Sequence, residues 1–374
     1  MRANVHSLIA IAGLSLMAAC GGGGTSEPAV KTCAEDPTQS KCVVVVPADS
    51  TLRLSAAKTS RYFGAAQDQM FFNQNAAYNA LLAKEFNMLT PGNVLKWDTV
   101  HPQRGTYSFT KGDALLAFAQ ANGMKMRGHT LVWLNTQMPS WLLNGGFSAD
   151  TLTQILKDHI ATVVGHYQGQ VYAWDVVNEA FAGDGSIQVP ASGNIWFSTL
   201  GKSYIETAFR AARTADPAAL LFYNDYSLEF PGAKQDAAVA LITDFKARQV
   251  PIDGIGFQAH FQINPDGTGV PSKASLTATF QRFAALGVKI HLTELDIRVR
   301  TPGATQAELS AQAQGYSDVV GACLAVAQCE AIVVWGITDA ESWIPSAFPG
   351  WGQALLFDAS LGKKATYTAA KGAM

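Results

Sequence analysis

Short runs rich in β-branched and apolar residues alternate along this chain with segments of helical periodicity, and eight such runs can be counted. They are Tyr62–Ala66, Met88–Thr90, Lys125–Thr130, Val171–Val177, Leu220–Asn224, Gly254–Gln258, Lys289–Leu295 and Ala331–Gly336. Between them lie the helical patterns Asn75–Glu85, Lys111–Asn122, Thr151–His166, Lys202–Ala215, Ala233–Arg248, Leu276–Leu286 and Gln306–Val326. Eight strands alternating with helices close most simply into a (β/α)8 TIM barrel. A doubly wound open sheet is the competing arrangement, but no Gly-rich phosphate loop follows the first run.

Two of these runs carry acids where a buried strand normally tolerates none. His291-Leu-Thr-Glu294-Leu-Asp296-Ile is one, and Val171-Tyr-Ala-Trp174-Asp-Val-Val-Asn178-Glu179 is the other. Burying a carboxyl group without a partner or a task costs several kcal/mol, so such acids are usually paired or catalytic. Strand alternation puts Glu294 and Asp296 on one face with Leu292, and turns His291 to the opposite face, toward the helical shell, where it has no role. In barrels of this kind the active site lies at the C-terminal ends of the strands. The unusual polar and aromatic residues gather there: His129 and Trp133 after the third run, Glu179 after the fourth, Gln258 and His260 after the sixth, Glu294 and Asp296 on the seventh, Trp335 on the eighth. Two facing strand-end carboxylates are what glycoside hydrolysis requires, one to protonate the leaving oxygen and one to attack the sugar or activate water.

Composition narrows the partners. A net charge of −2 and a pI near 6.4 leave no basic footprint for nucleic acid and suit a neutral polysaccharide. The N-terminus has Arg2 and an apolar stretch from Leu8 to Ala19, too short to span a bilayer, which reads as a signal peptide. Its end, Leu16-Met17-Ala18-Ala19-Cys20, is similar to a bacterial lipobox with Cys20 as the lipidated residue, although Met17 stands where Leu is commoner. Residues 1–20 are therefore expected to be a lipoprotein signal peptide, 21–50 a tether and N-terminal appendage, and 51–374 the barrel. The expected product is a monomer exported to the outer membrane, cell surface or periplasm, touching the membrane only through its lipid anchor. Four cysteines remain, and two disulfides are the economical expectation. Local pairing, Cys33 with Cys42 and Cys323 with Cys329, is the simpler connectivity; crossed pairing stays open. No cysteine pair has zinc-knuckle spacing and no paired histidines suit a metallohydrolase, so neither metal nor cofactor is expected.

Six motifs in order then make the resemblance specific: Gly128-His-Thr-Leu-Val-Trp133, Trp174-Asp-Val-Val-Asn-Glu179, Tyr223-Asn-Asp-Tyr226, Gly254-Ile-Gly-Phe-Gln-Ala-His260, Thr293-Glu294-Leu-Asp296 and Val334-Trp335-Gly-Ile-Thr-Asp339. Over roughly residues 60–370 the chain resembles glycoside hydrolase family 10, whose members are mostly retaining endo-β-1,4-xylanases. The resemblance implies that Glu179 is the general acid/base and Glu294 the nucleophile. It also implies that Asn178 contacts the sugar 2-hydroxyl and that His260 and Asp296 hold the nucleophile ionised and oriented. Asn93, Lys96, His129, Trp133, Gln258, Trp335 and Trp343 match substrate-binding positions, whereas Trp97, Trp141, Trp174, Trp196 and Trp351 are expected in the core or as loop anchors. Two departures stand out. Gly92, in Thr90-Pro91-Gly92-Asn93, occupies the place of a usual glutamate that grips a distant glycone sugar. Leu134 stands where His is common, and Pro139 lies one residue late. The implied activity is hydrolysis of internal xylosidic bonds of xylan or xylo-oligosaccharides. The alternatives are a retaining enzyme for a decorated xylan or another β-glycoside, and an inactive glycan-binding lipoprotein.

Overall fold

Parallel strands covered on both faces are buried along most of their length, and this is how the eight runs behave in the protein. The computed structural model describes residues 51–67, 72 and 74–374. The signal sequence, Cys20, the tether and the Cys33–Cys42 pair lie outside the described residues.

The strands are β1 (Tyr62–Gln67), β2 (Met88–Pro91), β3 (Lys125–Gly128), β4 (Ala173–Asn178), β5 (Leu220–Asp225), β6 (Gly254–Phe257), β7 (His260–Gln262), β8 (Lys289–Arg300), β9 (Cys329–Val334) and β10 (Trp351–Gly352). Eight of them pair in parallel in the order β9-β1-β2-β3-β4-β5-β6-β8, and β8 closes on β9. This is the expected (β/α)8 barrel. The short β7 runs parallel to the end of β8, and β10 pairs antiparallel with it. Both extend one wall above the barrel mouth.

Several helices begin where a side chain satisfies one of their first N–H groups. Asn75, Ser148, Asn194, Ser272 and Thr305 each accept from a backbone N–H of the first turn, and Thr305 with Glu308 completes a capping box. Buried Glu85 ties the two chain ends of the barrel together. Its carboxylate accepts from Leu52 N at 3.1 Å and Tyr367 Oη at 2.8 Å, and pairs with Lys363 at 2.9 Å. One disulfide, Cys323–Cys329, joins the end of the helix Gln306–Leu324 to β9, as local pairing anticipates.

The barrel interior is not uniformly apolar. Arg127 on β3 makes a bidentate pair with Asp175 on β4, both fully buried. His291 lies beside this pair, its Nδ1 at 3.4 Å from Arg127 Nε and its ring centroid 4.2 Å from that of Phe222. The expectation that His291 faces the helical shell is therefore wrong, and the reason is a β-bulge. Along β8, Leu292 pairs with Ile332 and Leu295 with Val334, so three steps on β8 match two on β9. The extra residue reverses the alternation. Thr293, whose Oγ1 donates to Asn224 Oδ1 at 2.6 Å, and Glu294, which Asn224 Nδ2 reaches at 2.7 Å, thus meet the same partner. Glu294 and Asp296 do not share a face with Leu292.

Candidate active site

The C-terminal ends of the strands surround a cleft of about 550 Å³. Glu179 follows the last residue of β4 in a left-handed conformation, φ 58°, with its backbone N–H bonded to Asn224 O at 2.9 Å. Its carboxylate meets three N–H donors. Trp133 Nε1 donates to Oε2 at 2.9 Å, while Gln258 Nε2 and Asn178 Nδ2 donate to Oε1 at 2.8 and 3.2 Å. Glu294 stands across the cleft on β8, its carboxylate held by Asn224 and, at 3.2 Å, by His260 Nε2. His260 Nδ1 lies 3.0 Å from Asp296 Oδ1, and the other Asp296 oxygen accepts Trp343 Nε1 at 2.8 Å.

This arrangement decides the charge states. Burial disfavours the His260 imidazolium, but Asp296 foremost and Glu294 with it more than offset that effect, and the ring's pKa is pushed up to about 10. Burial also works against the charge on Glu294. The His260 hydrogen bond and the electrostatic influence of His129 and His260 outweigh it, and the carboxyl sits below the ordinary glutamate range. A mostly buried cation thus keeps a buried carboxylate ionised. His129 Nδ1 is engaged by Asp175 at 2.9 Å, which leaves Nε2 as the atom available to a bound molecule. Burial opposes the charge of Asp175 too, and Arg127 with His129 lowers its pKa nonetheless.

At the β2 side of the cleft, Lys96 Nζ donates to Asn93 Oδ1 at 2.9 Å and Gln137 Oε1 at 2.8 Å, and lies 4.7 Å from the Trp133 ring centroid. Gly92 lines the same side. In the displaced segment before Pro139, Gln137 takes a left-handed backbone, φ 50°, and its amide reaches back to Asn93 Oδ1 at 2.9 Å. Trp335 stands edge-on to His129, with centroids 5.2 Å apart, and Trp343 edge-on to His260 at 5.1 Å. Flat sugar faces pack on such rings. Trp97, Trp174 and Trp196 are buried in the core, Trp141 packs against it with its Nε1 donating to His101 O, and Trp351 on β10 lies against Arg298 of β8.

All twelve expected catalytic and substrate-contacting residues converge on this cleft or on its immediate wall. Gln258 and His260 reach the cleft without being alternate positions of one strand. Ala259, φ 59°, breaks the strand in a left-handed turn, and His260 starts β7. Further residues line or bridge the cleft without having been assigned, among them Asn224, Gln137, Tyr226, Arg298 and Glu341. Asn224 joins the two halves, donating through Nδ2 to Asn178 Oδ1 at 2.8 Å as well as to Glu294. Its place at the end of β5, in the Tyr223–Tyr226 motif, was the available signal. Among the described residues, no group of three or more His, Cys, Asp or Glu side chains is disposed to hold a metal ion.

A parallel eight-stranded barrel with two carboxylates, an imidazolium and tryptophan walls at its mouth defines a glycoside hydrolase of the two-carboxylate class. Comparison with known proteins gives the family. The profile of glycosyl hydrolase family 10 matches residues 51–373, and the chain belongs to that family. It is 44% identical to endo-1,4-beta-xylanase A of Phanerodontia chrysosporium over 84% of this chain and 74% of the relative. It is 42% identical to an endo-1,4-beta-xylanase of Agaricus bisporus over 85% of this chain and 92% of the relative. Among solved structures, xylanase 10B from Thermotoga petrophila RKU-1 in complex with xylobiose superimposes with a TM-score of 0.82 at 40% identity, covering 87% of this chain and 97% of that one.

Proposed function

We infer that this family 10 enzyme is an endo-β-1,4-xylanase that cleaves internal bonds of xylan by double displacement, with retention of anomeric configuration. The observation that carries the assignment of roles is the unequal setting of the two carboxylates. Glu294 is buried against a cation that keeps it ionised, as a nucleophile needs, while Glu179 projects from a turn where Trp133 and Gln258 orient it. In the first step a Glu294 oxygen bonds to the anomeric carbon, the bond to the leaving oxygen breaks, and Glu179 gives that oxygen its proton. In the second step water loses a proton to Glu179 and attacks the same carbon, and Glu294 leaves as a carboxylate. Asn178 contributes at the 2-hydroxyl, and His129, Lys96, Asn93, Trp133, Trp335 and Trp343 bind the sugars on either side of the reacting centre. His260 and Asp296 act through Glu294.

The test is reducing-sugar release from soluble β-1,4-xylan by the mature chain beside its Glu294→Ala variant, with the first-formed anomer followed by NMR. Release by the wild type alone, as the β-anomer, is expected. No release by a folded wild type, or an α-product, would reject the reading.

A second observation favours a decorated xylan as substrate. Arg298 lines the cleft, stacks on Phe348 at 3.9 Å and donates to Gln262 Oε1 at 2.7 Å. Its Nε is buried without a partner, and among the described residues no carboxylate lies within ion-pair distance. A desolvated guanidinium facing a substrate cleft suits an acidic substituent on the chain. Arg298→Leu is expected to slow hydrolysis of a uronate-bearing xylan more than that of its carboxyl-reduced form; equal effects would remove this preference.

The N-terminal reading adds export and an acyl anchor at Cys20. Metabolic labelling with a radiolabelled fatty acid, in the wild type and in Cys20→Ser, tests it directly.

A further inference from the structure

One three-residue turn serves both halves of the active site. Between β6 and β7, Gln258 sends its amide to Glu179 and His260 sends its ring to Glu294 and Asp296. The residue between them, Ala259, holds φ at 59°. For a residue with a Cβ this left-handed conformation is disfavoured by roughly 1–2 kcal/mol, so the surrounding structure must impose it.

The backbone of this turn is tied to three neighbouring segments. Gln258 N donates to Asp225 O at 3.1 Å, and Ala259 O accepts from Asp296 N at 3.3 Å. Ala259 N donates at 2.6 Å to Oε1 of Glu229, a residue only 1% exposed in the loop after β5. Nearby, buried Lys234 pairs with Asp225 at 2.7 Å. The polar groups behind the turn therefore meet Glu229 and Asp225 on one side and the reacting carboxylates on the other.

We propose that Glu229 is a positioning residue: by accepting the Ala259 N–H it holds the left-handed turn that aims Gln258 at Glu179 and His260 at Glu294. This rests on the assignment of Glu179 and Glu294 as the reacting pair. Glu229 touches neither substrate nor a reacting atom. Its function is to supply a fixed acceptor in a dry position where water cannot replace it, since a buried N–H left without an acceptor drives the backbone to rearrange. Displacements of about 1 Å in catalytic groups reduce rates by about a hundredfold.

The role requires an acceptor, not a charge. Glu229→Gln keeps a carbonyl oxygen at the same place and is expected to stay within about threefold of wild-type kcat on xylohexaose. Glu229→Leu removes the acceptor and is expected to lower kcat by ten- to a hundredfold, with KM changed less than threefold because the sugar-binding residues elsewhere in the cleft are untouched. A folded Glu229→Leu enzyme with wild-type kcat would overturn the proposal, and so would Glu229→Gln losing as much as Glu229→Leu. Should Glu229→Leu fail to fold, Ala259→Val decides, since a β-branched side chain opposes φ near +60° without touching Glu229. A loss of tenfold or more in kcat at constant KM supports the proposal, and an unchanged kcat refutes it. Wild type and Glu294→Ala are assayed alongside. An inactive wild type would strike the assignment of the reacting pair, whereas an active wild type with an unaffected Glu229→Leu would strike this inference alone.

Discussion

Replacing His260 by Gln isolates the imidazolium charge from the hydrogen bond it makes. The glutamine Nε2 can occupy the place of His260 Nε2, 3.2 Å from Glu294, so a neutral donor remains while the cation disappears. With Glu294 ionised either bond is charge-assisted and falls in the range of about 1.5–3 kcal/mol, the doubly charged one at the upper end and the amide one at the lower, so the carboxylate loses on the order of 1–1.5 kcal/mol. At 1.36 kcal/mol per pKa unit this raises the Glu294 pKa by roughly one unit. With Glu294 as the proposed nucleophile, reacting as its anion, the acid limb of kcat/KM, which reports the free enzyme, should move about one pH unit upward. His260→Leu removes donor and charge together, and its limb should move further, by about two units. The measurement is kcat/KM on xylohexaose from pH 3 to 9 for the three enzymes. An acid limb that stays in place in both variants would refute the claim that His260 keeps the nucleophile ionised. Stability gives a second readout, with the sign fixed by linkage. The folded His260 pKa lies above its unfolded value of 6.5, so its stabilisation is complete below that pH and is lost as pH rises through about 10. The gap in melting temperature between wild type and His260→Gln should therefore narrow over that interval.

Three further outcomes follow from the site and its surroundings. Asn224→Ala removes the donor to Glu294 and the bridge to Asn178, and should lower kcat about 10- to 100-fold with a smaller change in KM, measured on xylohexaose. Gly92→Glu restores a carboxylate to the Asn93 side of the cleft and should lower KM on short xylo-oligosaccharides; an unchanged or raised KM would count against the reading of Gly92 as a missing sugar contact. The buried pair His101–His159 packs under Trp97, His159 with ring centroids 3.5 Å apart. Burial depresses both rings, His101 to about 4 and His159 well below its ordinary value, so the unfolded chain takes up protons that the fold refuses. Stability should fall as pH drops from 6.5 toward 4, and His159→Phe should flatten that slope in urea titrations across this range.

Much of the fold was legible because its signals are local. The alternation of apolar runs with helical periods, and caps such as Asn75 and Thr305, reflect residue preferences that act within one turn of chain. The strand runs were located to within one to five residues at their ends. Glu179 and Glu294 were legible for a related reason: a carboxyl on a buried strand is costly unless it has a partner or a task. The residues that escaped notice are those whose importance lies in what they meet. Asn224 looks like any polar strand end until the barrel closes it against Glu294 and Asn178. Arg298 and Glu341 stand in segments that only the closed mouth brings to the cleft.

By itself the sequence determined the eight alternating units, the two acids, the motif order and hence the family. What it could not determine was side-chain direction wherever the backbone departs from a regular strand. The bulge between Leu292 and Leu295 set Glu294 on the inward face that His291 and Thr293 already occupy, and the turn at Ala259 aimed Gln258 and His260 at different carboxylates. Both departures depend on pairing with distant chain, β9 in one case and buried Glu229 in the other. A one-residue change of register moves every following side chain to the opposite face. That choice is made by hydrogen bonds between strands, and those form only once the barrel has closed.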